Sequence, residues 1–155
     1  MQPTHFGEVK RIYEEGIKTR NATFETSCPG WENWNNAHLP HGRWIALLKS
    51  KVVGWAALSS VSDCCVYEGV AEVSVYIGTE FRGKGVGKAL MQKLVESSEE
   101  NGFWTLHSAT FPENIESIAL HKSCGFREIC YRERIGQLDG VWRDTVLMER
   151  RSPKF

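Results

Sequence analysis

Apolar positions along the chain follow two periods, and the switches between them mark out its elements. Near the start, Val9, Ile12, Tyr13 and Ile17 recur at helical spacing, which predicts an amphipathic helix from about Thr4 to Thr19 with that stripe on the core. Asn21-Ala-Thr-Phe-Glu-Thr breaks it, and Pro29-Gly30 marks a turn before a short second helix carrying Trp31, Trp34 and His38 on one side. From Arg43, Trp-Ile-Ala-Leu-Leu-Lys reads as a strand, Ser50 lies in a turn, and Val52-Val-Gly-Trp-Ala-Ala-Leu returns, an antiparallel hairpin. Ser59 to Gly69 is a polar loop. The first half of the stretch Val70 to Lys88 is β-branched and aromatic, and Glu72-Val-Ser-Val-Tyr-Ile within it reads as a strand. Beyond it, Val86, Ala89, Leu90, Met91, Leu94 and Val95 form a broad apolar stripe while Lys88, Gln92, Lys93 and Glu96 can face solvent. That helix ends at Asn101-Gly102, a left-handed cap signal. Phe103 to Thr110 is the next strand, and Pro112, Glu113 and Asn114 separate it from a short helix, roughly Ile115 to Ser123, which Gly125 closes. The tail alternates from Phe126 to Leu138, turns at Asp139-Gly140, a pair that type I′ hairpins prefer, and alternates again from Val141 to Met148.

With no internal repeat, these elements must share one mixed sheet, so the fold class is α/β, or α+β by convention. The 155 residues suit a single domain, 1–155. Lys plus Arg and Asp plus Glu both number 19, so no overall field would hold the protein on nucleic acid or an anionic membrane. No apolar run is long enough to cross a bilayer and the N-terminus has no signal-peptide core, which makes a cytoplasmic location the expectation. The five cysteines are odd in number and lack a Cys-x-x-Cys pair, against a disulfide framework or structural zinc. His38 and His41 stand three apart, but Pro40 lies between them and no third ligand is near, so no metal is expected.

The chemistry concentrates between Val70 and Lys88. A strand runs into glycines at 83, 85 and 87 and then into a helix, and such a turn aims several backbone N–H groups at one spot where the helix dipole also favours negative charge. An anion site follows. A P-loop would need Ser or Thr after Lys88, where Ala89 stands. A dinucleotide fingerprint would need Gly-x-Gly-x-x-Gly, and no acidic residue ends the next strand.

Arg82-x-x-Gly85-x-Gly87 instead resembles the pyrophosphate-binding motif of the GNAT N-acetyltransferase superfamily. The strand Glu72-Val-Ser-Val-Tyr-Ile before it and Asn114-x-x-Ser117-x-x-Leu120-x-x-x-x-Gly125-Phe126 after it keep the superfamily's order over the C-terminal two-thirds of the chain. Ala22-Thr-Phe-Glu-Thr, Leu120-His121 and Gly136-Gln-Leu-Asp-Gly-Val-Trp142-Arg-Asp144 further resemble the phosphinothricin and methionine-sulfoximine acetyltransferase family. The resemblance implies a mostly antiparallel sheet with a splayed central parallel pair and helices on both faces. It implies acetyl-CoA as cosubstrate and a small amino acid or analogue as acceptor. Cofactor positions carried over are Val75, Tyr76 and Ile77 on the strand, Arg82, Gly83, Lys84, Gly85, Val86, Gly87 and Lys88 in the turn, and Asn114 and Ser117 beyond the next strand. Family members usually have a strand ahead of the first helix, for which Met1-Gln-Pro leaves almost no room.

Acetyl transfer to an amine needs a neutral nitrogen, a polarised thioester carbonyl and a proton for the departing thiolate. Glu72, on the cofactor strand, is the candidate acceptor of the ammonium proton, with a cross-strand salt bridge as the other reading. A backbone N–H near Ile77 suits the carbonyl oxygen. His121 stands where many superfamily members carry a tyrosine, and its imidazole is the candidate donor to the thiolate. Phe24 and Glu25 should roof the acceptor side, Glu25 holding an ammonium and Phe24 excluding water, or simply pack loop on helix. An acceptor carboxylate or phosphinate would need a cation, and sequence does not rank Arg132, Arg134 and Arg143. The Trp142 hairpin could reach a second subunit, compatible with a homodimer. Another amine acceptor, such as a polyamine, aminoglycoside or peptide, and a non-catalytic acyl-CoA sensor remain as alternatives.

Overall fold

The computed structural model describes residues 1–155. Its elements follow the hydrophobic pattern closely: α1 (Phe6–Lys18), α2 (Trp31–Ala37), β1 (Trp44–Leu48), β2 (Lys51–Ser60), β3 (Val70–Ile77), α3 (Val86–Glu100), β4 (Thr105–Thr110), α4 (Ile115–Ser123), β5 (Arg127–Leu138) and β6 (Val141–Arg151). Only a 3₁₀ turn, Pro3–His5, precedes α1. Both hairpin turns lie in the left-handed region that two-residue connections require, at Lys49-Ser50 (φ 47° and 67°) and Asp139-Gly140 (φ 51° and 79°). No helix is long and apolar enough to cross a membrane.

The six strands form one sheet in the order β1-β2-β3-β4-β6-β5, antiparallel throughout except between β3 and β4. On one face, α3 and α4 pack over a core that includes Leu58, Val73, Leu90, Leu94, Leu106 and Met148. On the other, α1 and α2 cover Val9, Ile12, Trp34 and Trp55. Because strand side chains alternate faces, Ala71 and Val73 join the first core, while Tyr76 packs against the second.

The parallel pair is short. It registers Val70 with Thr105, Ala71 with Leu106 and Glu72 with His107, and goes no further. Each strand then follows its other neighbour: β3 stays paired with β2 to Ile77, and β4 stays paired with β6 to Thr110. The sheet forks at Glu72.

Candidate active site

The fork exposes half of β3's backbone. Gly78 N–H donates to the Val53 carbonyl at 2.9 Å, and in an antiparallel ladder the N–H and C=O of alternate residues point to the same side. Tyr76 and Ser74 therefore bond to β2, whereas Val73, Val75 and Ile77 turn theirs into the fork. Arg82 Nε confirms the direction at Ile77 by donating to its carbonyl at 3.3 Å. Tyr76, expected beside the cofactor with its neighbours, has its backbone engaged by β2. Its ring stacks on Trp55 at 4.8 Å and meets Tyr13 edge-on at 4.7 Å.

The fork opens onto a cleft of about 1450 Å³ whose wall includes Gly83, Gly85, Gly87 and Lys88. Gly83 and Gly85 sit at φ 69° and 81°, and a Cβ at either would meet nothing within 4 Å. Glycine is required there by backbone conformation, not by space. Gly85 is the N-cap of α3 and no side chain caps that end, so the first turn's N–H groups keep the positive end of the helix open. Arg82 also lines the cleft, while Lys84 and Val86 do not. Lys84 Nζ folds back onto the Glu80 carbonyl at 2.8 Å and lies over Phe81, and Val86 packs into the core under the helix.

Two groups of the cleft wall can move protons. Glu72 is exposed on β3 and enters none of the molecule's ion pairs, so its carboxylate is free to serve the cleft. His121 is buried in α4. Its Nδ1 lies 2.7 Å from the Ser117 carbonyl, which fixes the proton of the neutral ring on Nδ1. Nε2 then carries a lone pair, and it is buried with no hydrogen-bond partner. Burial pushes the ring below its usual value, partly offset by the bond to Ser117, so the neutral form dominates near pH 7. The sequence suggested a donor. In this tautomer Nε2 must first take a proton before it can give one.

Asn114 and Ser117 connect this helix to the loop opposite. Asn114 Oδ1 caps α4 by accepting from Ser117 N–H at 3.2 Å, and its Nδ2 donates to the Asn21 carbonyl at 2.9 Å. Arg143 adds a second latch, donating to the Arg20 carbonyl at 2.8 Å and pairing with Glu113 at 3.2 Å, its guanidinium 4.0 Å above the Phe111 ring. The latched loop presents Phe24, edge-on to Phe111 at 4.8 Å, and Glu25. Gly136 lets Phe24 come close, since a Cβ there would lie 3.0 Å from the ring. Burial raises the Tyr13 and Tyr76 phenols above their ordinary values, so both stay protonated beside Glu25. A side chamber of about 440 Å³ adjoins at Tyr13, Glu25 and Ser59. Sequence reasoning missed Tyr13, Ser59, Phe111 and Thr145 as wall residues, because Tyr13 reads as core stripe and the others are ordinary strand or strand-end positions.

A forked parallel pair, an uncapped glycine turn and the carboxylates of Glu25 and Glu72 share one cleft, an arrangement suited to an extended anionic ligand at the turn and a cationic group at the carboxylates. Residues 9–126 match the acetyltransferase (GNAT) family. The chain belongs to that family and is an acetyltransferase. It is 30% identical over 151 residues to the phosphinothricin N-acetyltransferase of Alcaligenes faecalis, covering 92% of this chain and 75% of that one. It is 32% identical over 144 residues to an L-methionine sulfoximine/L-methionine sulfone acetyltransferase of Pseudomonas paraeruginosa, covering 89% and 84%. The crystal structure of a GNAT superfamily phosphinothricin acetyltransferase from Sinorhizobium meliloti in complex with acetyl-CoA superposes with a TM-score of 0.88 at 28% identity, covering 97% of this chain and 85% of that one.

Proposed function

We propose that this chain transfers the acetyl group of acetyl-CoA to the amino group of a small amino acid or analogue of the phosphinothricin or methionine-sulfoximine kind, by direct attack with both substrates bound. The observation that carries the reading is the fork itself: strand groups left unpaired by the sheet, at Val75 and at the Ile77 N–H, lie between the uncapped turn of α3 and Glu72. Acetyl-CoA, when bound, supplies a thioester carbonyl open to attack by an amine and a thiol leaving group.

In this reading Val75 and Ile77 pair with pantetheine amides as an added strand would. The N–H groups of Gly83 to Lys88, with Arg82, hold the pyrophosphate, and an N–H near Ile77 polarises the carbonyl oxygen. Glu72 takes a proton from the acceptor ammonium, directly or through water, which frees the nitrogen lone pair. His121 Nε2 takes the second amine proton as the new bond forms and returns it to the departing thiolate, so one atom acts first as base and then as acid. Phe24 excludes water and Glu25 holds the ammonium before deprotonation. Asn114 and Ser117 act by fixing α4 and the loop. The hairpin's exposed Tyr131, Val141 and Trp142 support a homodimer through this surface, which light scattering would check.

CoA release measured over a panel of amines tests the proposal. Release with phosphinothricin or methionine sulfoximine is expected. Release with polyamines, aminoglycosides or peptide amines alone would overturn the acceptor assignment.

A further inference from the structure

Three arginines of the last hairpin compete for an acceptor anion, and their surroundings separate them. Arg143 is committed to Arg20, Glu113 and Phe111. Arg134 is exposed and off the cleft, its backbone N–H held by Asp144. Arg132 lines the cleft and is half-buried. Its Nε donates to Thr145 Oγ1 at 3.2 Å, and Thr145 is itself buried. That bond orients the guanidinium plane and leaves both terminal nitrogens without a protein partner, since Arg132 makes no other hydrogen bond and no ion pair.

Position along the cleft adds the second argument. Of the lysines and arginines lining it, Arg82 and Lys88 flank the glycine turn, and Arg132 alone stands at the other end, beside Ile135 and Gly136 and across from Phe24. Arg132 registers with Thr145 on β6, and Thr145 alternates with Val146, which faces the α3 core. Arg132 therefore projects on the α1 face, as Glu72 does beside Val73. One chamber thus has carboxylates at Glu25 and Glu72 and a free, oriented fork of donors at Arg132.

We propose that Arg132 binds the carboxylate of the acceptor through its two terminal nitrogens, so that the site takes α-amino acids in preference to simple amines. The inference rests on the acetyltransferase reading and narrows its acceptor. A planar guanidinium matches a carboxylate in two parallel hydrogen bonds, and a charge-assisted pair of this kind is worth about 10- to 100-fold in binding.

The test compares methionine sulfoximine with its α-carboxamide by CoA release, in the wild type, Arg132→Gln and Arg132→Lys. Arg132→Gln should raise KM for the acid about 10- to 100-fold, leave KM for acetyl-CoA unchanged, and bring acid and carboxamide to similar kcat/KM. Arg132→Lys should recover part of the discrimination. An acid-to-carboxamide ratio that survives Arg132→Gln overturns the assignment of Arg132 while leaving the acetyltransferase reading intact. If the wild type releases no CoA with any amine, the reading and the inference fall together. A shifted melting curve or acetyl-CoA KM in Arg132→Gln would trace its loss to folding, and Arg132→Lys then decides: partial loss of the acid preference with the fold kept supports bidentate binding, and full retention refutes it.

Discussion

Gly85 offers the sharpest separation of backbone conformation from side-chain contact. It heads α3 at φ 81° and ψ −5°, and a Cβ there would touch nothing within 4 Å. Gly85→Ala introduces no clash, so its whole effect is the cost of holding an L-residue in the left-handed region, about 1–2 kcal/mol. That cost has two outlets. If the turn keeps its shape, the folded state bears it, and the melting temperature falls by roughly 2–8 °C. If the turn relaxes to negative φ, stability is retained but the N–H groups are re-aimed, and acetyl-CoA affinity drops by a comparable factor of about 5–30. Thermal melts and calorimetric titration with acetyl-CoA read both outlets. Gly87→Ala is the control. Its φ is not positive, and its Cβ would lie 3.2 Å from Leu120 Cδ2 and 3.7 Å from Ile77 Cγ1. A helix-propensity gain of up to about 1 kcal/mol offsets that contact. Gly85→Asn should fall between wild type and Gly85→Ala, because asparagine tolerates the left-handed region. A Gly85→Ala protein with wild-type melting and wild-type acetyl-CoA affinity would refute the reasoning.

Further outcomes follow from the same geometry. Glu72→Gln should lower kcat by about 10²–10⁴ with acetyl-CoA binding intact, and part of the loss should return at high pH, where the amine deprotonates unaided; unchanged kcat near neutrality would return Glu72 to a structural role. His121 titrates below its ordinary value of about 6.5 because it is buried. Its stabilising contribution is therefore present above that value and lost as pH falls through the folded-state value. The acidic limb of kcat should lie below about 6.5 and disappear in His121→Phe, whereas wild-type kcat at every pH in that variant would remove His121 from the chemistry. Asn114→Ala removes the cap on Ser117 and the latch on Asn21, each worth about 1 kcal/mol. It should raise acceptor KM more than acetyl-CoA KM, while Asn114→Asp keeps the cap and loses only the latch; equal melting temperatures for the two variants would contradict this division.

The sequence by itself determined the elements and the glycine turn that heads α3. Hydrophobic period and turn chemistry are local properties, so α4 emerges at the expected Ile115–Ser123, and β3 at Val70–Ile77 contains the expected strand Glu72 to Ile77 and starts two residues earlier. The glycines at 83 and 85 announce a backbone that only their φ values explain. Other features depend on which strand each residue pairs with and which neighbour claims each polar atom. The fork at Glu72 exists because β3 and β4 follow different partners beyond that register. The tautomer of His121 is set by the Ser117 carbonyl one turn away, and Lys84 leaves the cleft because Glu80 and Phe81 hold it. Arg132, Arg134 and Arg143 are equivalent in composition and close in sequence. They differ because Thr145, Asp144 and Glu113 meet them differently, and a long flexible cation takes its role from whichever acceptors the fold brings within reach.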